Sequence, residues 1–266
     1  MIRKISPSVL ISKKQKGEKI IMLTAYDYNM AQILDETEID IILVGDSLGM
    51  VFQGNSNTLT VELSHMIYHT EAVSKGCKYS MVVSDMPFGT FQLSPEETYK
   101  NAVKLIKAGA NAVKIEGGSE MANTIEFLVS RGIPVMGHIG LQPQSINVYG
   151  GYKVQGKSKN QVEKLVNDAM ALQNAGAFSI VLETITENTA KQITEKLSIP
   201  TIGIGSGRYC DGQVLVINDL LGLTKDIKPR FVKRYLELAE EIKKAVFQFK
   251  EDVQKGIFPS EENIYR

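Results

Sequence analysis

The chain has 266 residues, enough for a sizeable core. Lys and Arg number 30 against 30 Asp and Glu, which excludes the basic excess of a general nucleic-acid or anionic-membrane binder. Two cysteines, Cys77 and Cys210, exclude a disulfide framework, and no stretch reaches the ~20 apolar residues of a membrane helix. The start "MIRKISPSVLISKKQKGEKI" lacks the apolar core of a signal peptide, so a cytoplasmic protein is expected.

In chain order, short runs rich in β-branched residues predict strands at "IIMLT" (20–24), "IILVG" (41–45) and "SMVVS" (80–84). "SPEETYKNAVKLIKAGA" (94–110) predicts a helix. Ser94 can cap it, Pro95 suits the first turn, and Glu97 completes a capping box. Ala102, Val103, Ile106 and Ala110 fall at helical spacing, and Gly109 supplies a stop. Strands follow at "AVKIE" (112–116) and "PVMGH" (134–138). A second helix of the same form, "KNQVEKLVNDAMALQNAGA" (159–177), stops at Gly176. Then come "SIVLE" (179–183), a shorter helix in "TENTAKQITEKLSIP" (186–200), and strands "PTIGIG" (200–205) and "QVLVI" (213–217).

Strands alternating with helices imply parallel pairing through right-handed crossovers. The predicted strands number eight over a length usual for a (β/α)₈ TIM barrel. An open doubly wound sheet is the alternative, but it would carry a Gly-rich turn after its first strand, where this chain has "AYDYN". No linker or repeat divides the chain, so residues 1–266 read as a single barrel domain with N- and C-terminal extensions, the last being the tail "EDVQKGIFPSEENIYR".

Polar residues end the apolar runs. Asp46 follows "IILVG" and Asp85 follows "SMVVS", while Glu116, His138 and Glu183 end "AVKIE", "PVMGH" and "SIVLE". In a barrel those ends converge on the face where active sites are built. Lys114 and Glu116 lie two apart in a strand and so point the same way, into the barrel. Carboxylates gathered without cysteine or a histidine pair suit a hard cation such as Mg²⁺. His65 and His69 have the spacing of a zinc helix but lack its Glu and a third ligand, so they read as ordinary helix residues. The glycines Gly203, Gly205 and Gly207 suit a phosphate loop or close backbone packing equally. "GGYKVQGKS" (150–158) reads as a flexible loop that could close as a lid.

The blocks "LVGDSLGMVFQG", "SDMPFGTFQLSPEE", "AGANAVKIEGG", "GHIGLQPQS", "GGYKVQGK" and "IPTIGIGSG" resemble the ketopantoate hydroxymethyltransferases, with matches in order from Thr24 to Gly222. The resemblance implies a barrel of the phosphoenolpyruvate/pyruvate type, usually a homodecamer. It implies Mg²⁺ and 5,10-methylenetetrahydrofolate as one-carbon donor to 3-methyl-2-oxobutanoate, giving 2-dehydropantoate on the route to pantothenate. It carries the metal site to Asp46, Asp85 and Glu116, the keto-acid contacts to Asp46, Ser47, Asp85 and Lys114, and the catalytic base to Glu183. The chain departs from the family pattern at "NSNTL" (55–59), Gln142 and Ser206, which bear on loop shape and folate contacts rather than on the reaction.

Overall fold

A computed structural model describes residues 4–224 and 229–266. The chain packs as two units, Met1–Val216 and Ile217–Arg266. The first contains strands β1 (Ile20–Thr24), β2 (Ile41–Val44), β3 (Met81–Asp85), β4 (Ala112–Glu116), β5 (Val135–Gly140), β6 (Ser179–Glu183), β7 (Thr201–Ile204) and β8 (Gly212–Leu215). Each pairs in parallel with the next and β8 closes on β1, so the fold is the (β/α)₈ barrel expected from the sequence. The helices of this unit are α1 (Pro7–Lys16), α2 (Tyr28–Asp35), α3 (Leu48–Val51), α4 (Leu63–Gly76), α5 (Pro95–Lys107), α6 (Ala122–Val129), α7 (Ile146–Tyr149), α8 (Lys159–Asn174) and α9 (Glu187–Lys196). The second unit holds α10 (Ile217–Leu220) and α11 (Leu238–Gln254).

Local chemistry explains the long helices. Ser94 Oγ accepts from Glu97 N at 3.2 Å to start α5, with Pro95 in its first turn. Ser158 and Gln161 form the reciprocal capping box of α8. Gly109 and Gly176 take positive φ just beyond the ends of α5 and α8, a conformation that costs side-chain-bearing residues about 1 kcal/mol or more. Several strand boundaries shift by one or two residues from the sequence reading, and two of the shifts matter here. β5 runs on to Gly140, so His138 sits inside the strand, and β8 stops at Leu215, with Ile217 opening α10. The stretch expected as a tail, 251–266, begins inside α11, a 17-residue helix with no buried residue that runs to Gln254 and that the apolar-run reading does not find.

Side chains alternate across each strand. Ile20, Met22, Ile41, Leu43, Met81, Val83, Ala112, Met136, Val181, Ile202 and Val214 meet in one buried cluster in the barrel interior. Ile5 and Leu10 join that cluster from the N-terminal side. There α1 is pinned across the rim: Lys13 Nζ lies 2.5 Å from Asp40, and Lys14 Nζ 2.8 Å from Asp211. These partners immediately precede β2 and β8, so α1 stoppers the bottom of the barrel.

Asp35, at the end of α2, ties that helix to the entry of β3. Its carboxylate accepts from the backbone N–H groups of Lys78 (2.8 Å), Tyr79 (3.1 Å) and Ser80 (2.7 Å). Burial alone would raise its pKa, but these donors outweigh burial and lower it from 3.8. A carboxyl lowered on folding stabilises the native state above its unfolded pKa and loses that contribution as pH falls through the native one. Asp35→Ala should therefore cost on the order of 2 kcal/mol in urea denaturation at pH 7, with the difference shrinking toward pH 3.

Candidate active site

Continuing the alternation upward turns the interior from apolar to charged. Above Met81 and Val83 stands Asp85. Above Ala112 stand Lys114 and Glu116, above Met136 stands His138, and above Val181 stands Glu183. Parallel register sets neighbours side by side: Asp85 beside Lys114, Glu116 beside His138, and Glu183 beside Gly140. Asp46 and Ser47 arrive from the turn between β2 and α3. The residues expected at the site from the sequence thus meet at the C-terminal mouth.

Lys114 Nζ lies 2.9 Å from Asp85 Oδ1, a charge contact rather than a well-directed hydrogen bond. Asp85 Oδ2 accepts from Asp46 N at 3.0 Å. Asp46, Asp85, Lys114 and Glu116 are all buried. Burial pushes Lys114 toward losing its proton, but Asp85, Glu116 and Asp46 outweigh it and hold the ammonium charged. Asp46 carries the opposite imbalance. Burial first, then the charges of Asp85 and Glu116, raise its pKa well above the usual carboxylate range. Three buried carboxylates thus crowd one lysine, and Asp46 bears the crowding.

His138 is the hub between the two halves of the cluster. Its Nδ1 is 3.2 Å from Lys114 Nζ and 3.5 Å from Glu116 Oε1, and its Nε2 is 3.2 Å from Glu183 Oε2. Burial and Lys114 push the imidazole pKa down, but hydrogen bonding to Glu116 and Glu183 prevails and raises it to about 9. Glu183 is the acid most open to solvent, with its side chain 18% exposed. Thr184, directly after it, is held at φ 51°. For a β-branched residue this is a strained backbone, costing about 1–3 kcal/mol, and it sits where β6 must turn at the site.

Gln144, from the turn Pro143–Ser145 after β5, ties the mouth together. Its side chain donates to Asp46 Oδ2 (2.8 Å) and to Met86 O (2.9 Å), and its backbone N donates to Glu116 Oε2 (3.1 Å). Ser47 Oγ lies 2.9 Å from the Tyr26 hydroxyl, whose pKa burial raises. Tyr152, in the glycine-rich loop expected as a lid, reaches Met50 Sδ at 3.8 Å. Its phenol pKa is raised by burial first and then by the charges of Glu183 and Asp46. Sequence reasoning noted His138 as a strand end without giving it a role, and it missed Gln144 and Tyr26. Their only signal was position in "GHIGLQPQS" and in the loop after β1.

The other candidates have structural explanations. His65 Nδ1 accepts from Glu62 N at 3.1 Å as part of a helix cap, while His69 Nδ1 contacts Tyr26 O at 2.6 Å. They do not share a ligand position. Burial pushes the Cys77 thiol up to about 12 and the Cys210 thiol to about 11, which leaves both unreactive. A Cβ on Gly203 would meet Cys210 Sγ at 2.9 Å, so close packing accounts for that glycine. Ser206 Oγ donates to Leu182 O (2.6 Å) and accepts from Ile185 N (3.1 Å), buttressing the turn that carries Glu183.

Among the described residues no three Asp, Glu, His or Cys side chains form a metal cage by themselves. Mg²⁺ does not require one, since it commonly takes one or two carboxylates and completes its shell with water and substrate oxygens. The oxygen donors and the crowding of acids that raises Asp46 fit such an ion.

Fold and site together define a (β/α)₈-barrel protein with an acidic centre in its C-terminal mouth. The family model for ketopantoate hydroxymethyltransferase matches residues 4–261. A 3-methyl-2-oxobutanoate hydroxymethyltransferase from Thermotoga neapolitana is 56% identical over 254 residues, covering 95% of this chain and 94% of its own. One from Caldicellulosiruptor bescii is 52% identical over 264 residues, covering 99% and 100%. Among solved structures, a 2,3-dimethylmalate lyase of the PEP mutase/isocitrate lyase superfamily superposes with a TM-score of 0.61 at 15% identity, covering 99% of this chain and 92% of its own. A phosphonopyruvate hydrolase gives 0.62 at 12%, covering 97% and 93%. The chain belongs to the ketopantoate hydroxymethyltransferase family.

Proposed function

We propose that this chain transfers a hydroxymethyl group to 3-methyl-2-oxobutanoate, taking the carbon from 5,10-methylenetetrahydrofolate and oxygen from water, to give 2-dehydropantoate and tetrahydrofolate for pantothenate synthesis. The observation that carries the site assignment is the meeting of Asp46, Asp85, Lys114, Glu116 and Glu183 at one end of the barrel in a chain of this family. Asp46, Asp85 and Glu116 would hold Mg²⁺. When bound, the ion supplies a Lewis acid that makes the proton at C3 of the keto acid easier to remove.

The chain's own residues do the rest. Lys114, charged and buried, neutralises the substrate carboxylate and the negative charge that develops as the proton leaves. Ser47, held by Tyr26, offers a hydroxyl beside it. Glu183, the least buried of the acids and free of any direct pairing with Lys114, takes the C3 proton. The buried surroundings keep water from competing for the carbanion.

The reading includes a cytoplasmic homo-oligomer, a decamer by resemblance. It is supported by α11, which exposes Ile242, Val246, Phe249 and Val253 along one helical face. Purified protein should form 2-dehydropantoate only when keto acid, methylenetetrahydrofolate and Mg²⁺ are all present, and chelation should stop it reversibly. Carbon–carbon bond chemistry on the keto acid without folate would instead mark a lyase. Sedimentation velocity checks the assembly, where a monomer would contradict it.

A further inference from the structure

His138 makes contacts that the proposed reaction does not use. It is buried to 2% exposure, and Nδ1 faces the Lys114 ammonium at 3.2 Å. An ammonium can only donate, so the neutral ring must accept at Nδ1 and carry its hydrogen on Nε2. A protonated ring carries a hydrogen on Nε2 as well. In both states an N–H therefore looks toward Glu183 Oε2 at 3.2 Å.

That N–H lacks a well-directed acceptor among the described residues, although Oε2 is within reach. A buried donor left in this condition calls for an explanation. The strand supplies one. β5 carries His138 rigidly between β4 and β6, while Glu183 ends β6 and stays partly open to solvent. The donor is fixed and the acceptor can turn.

We infer that His138 is a positioning residue for the base: its fixed Nε2–H takes Glu183 Oε2 when that carboxylate turns to meet it, leaving Oε1 aimed at the substrate proton. This rests on Glu183 being the base. The same ring, through Nδ1, touches Lys114 and Glu116, so the groups that hold the substrate and the group that deprotonates it are set by one side chain.

Two substitutions separate the ring's two ends. The Asn of His138→Asn places its terminal atoms where Nδ1 lies and can still accept from Lys114, but leaves nothing opposite Glu183. The Gln of His138→Gln reaches the place of Nε2 and can donate to Glu183. Exchange of the substrate C3 proton into deuterated water should fall roughly 10–100-fold in His138→Asn with keto-acid KM little changed, the size typical of losing a supporting hydrogen bond. His138→Gln should recover most of that loss. Wild-type exchange in His138→Asn, or equal losses in the two variants, would overturn the inference.

A spectroscopic measurement covers the case in which either variant fails to fold. With only 3 histidines in the chain, ¹⁵N NMR of the labelled wild type can follow the His138 Nε2 resonance. It should move on Glu183→Ala, and an unmoved resonance overturns the grip. Exchange in Glu183→Ala separates the two assignments. If it persists, the base reading fails. If it is lost while His138→Asn behaves as wild type, only the role of His138 fails.

Discussion

Glu183→Ala should leave a protein that still binds 3-methyl-2-oxobutanoate but no longer exchanges its C3 proton, with a loss of roughly 10²–10⁴-fold, the usual contribution of a positioned base. The selectivity follows from placement. Glu183 stands on β6, and among the described residues its carboxylate meets the cluster through His138. Its removal takes away a proton acceptor without unpairing a buried lysine. Isotope exchange followed by NMR, with calorimetry for keto-acid binding, tests both halves. Exchange at the wild-type rate would remove Glu183 from the mechanism, and loss of binding together with exchange would move it among the substrate-holding residues.

The second large effect is a contrast between two aspartates. Asp85 is the partner of the buried Lys114, 2.9 Å away, and breaking a buried ion pair costs about 3 kcal/mol or more. Asp46 is surplus: burial and its neighbours Asp85 and Glu116 act against its charge. In the presence of a chelator, Asp85→Asn should therefore lose about 3 kcal/mol, while Asp46→Asn should be neutral or more stable. Adding Mg²⁺ should raise the melting temperature of the wild type through preferential binding to the native state, and of neither variant. Equal destabilisation of the two in chelator, or a magnesium shift retained by Asp46→Asn, would contradict this division of labour.

Much of this arrangement can be read in the sequence because a closed parallel barrel is strongly constrained. Period-two alternation forces Lys114 and Glu116 inward together once β4 is recognised, and strand polarity brings Asp85 and Glu183 to the same rim. Other parts depend on distances that no spacing encodes. The apolar run "PVMGH" makes His138 the last residue of its strand, whereas β5 continues to Gly140 and holds the ring between two acids and a lysine. Gln144 lies 98 residues from Asp46, and only a short 3₁₀ turn brings its amide there. Asp35 looks like any acid near a helix end, yet it collects the backbone donors of Lys78, Tyr79 and Ser80. The helix α11 has the spacing of an amphipathic helix at Ile242, Val246, Phe249 and Val253, but it follows the last strand, where the strand–helix alternation calls for no further element.

The stopper formed by α1 has a kinetic consequence. With Ile5 and Leu10 packed into the floor, and Lys13 and Lys14 fastened to Asp40 and Asp211 on either side of β1, the lower end of the barrel is closed and the charged cluster is reached from the C-terminal mouth. The two reactants of the proposed reaction must therefore both arrive from that side, above the packed interior. On the proposed reaction the smaller keto acid would lie beneath the bulkier folate; initial-rate kinetics should then be ordered with the keto acid first, and excess folate should inhibit by occupying the entrance ahead of its co-substrate.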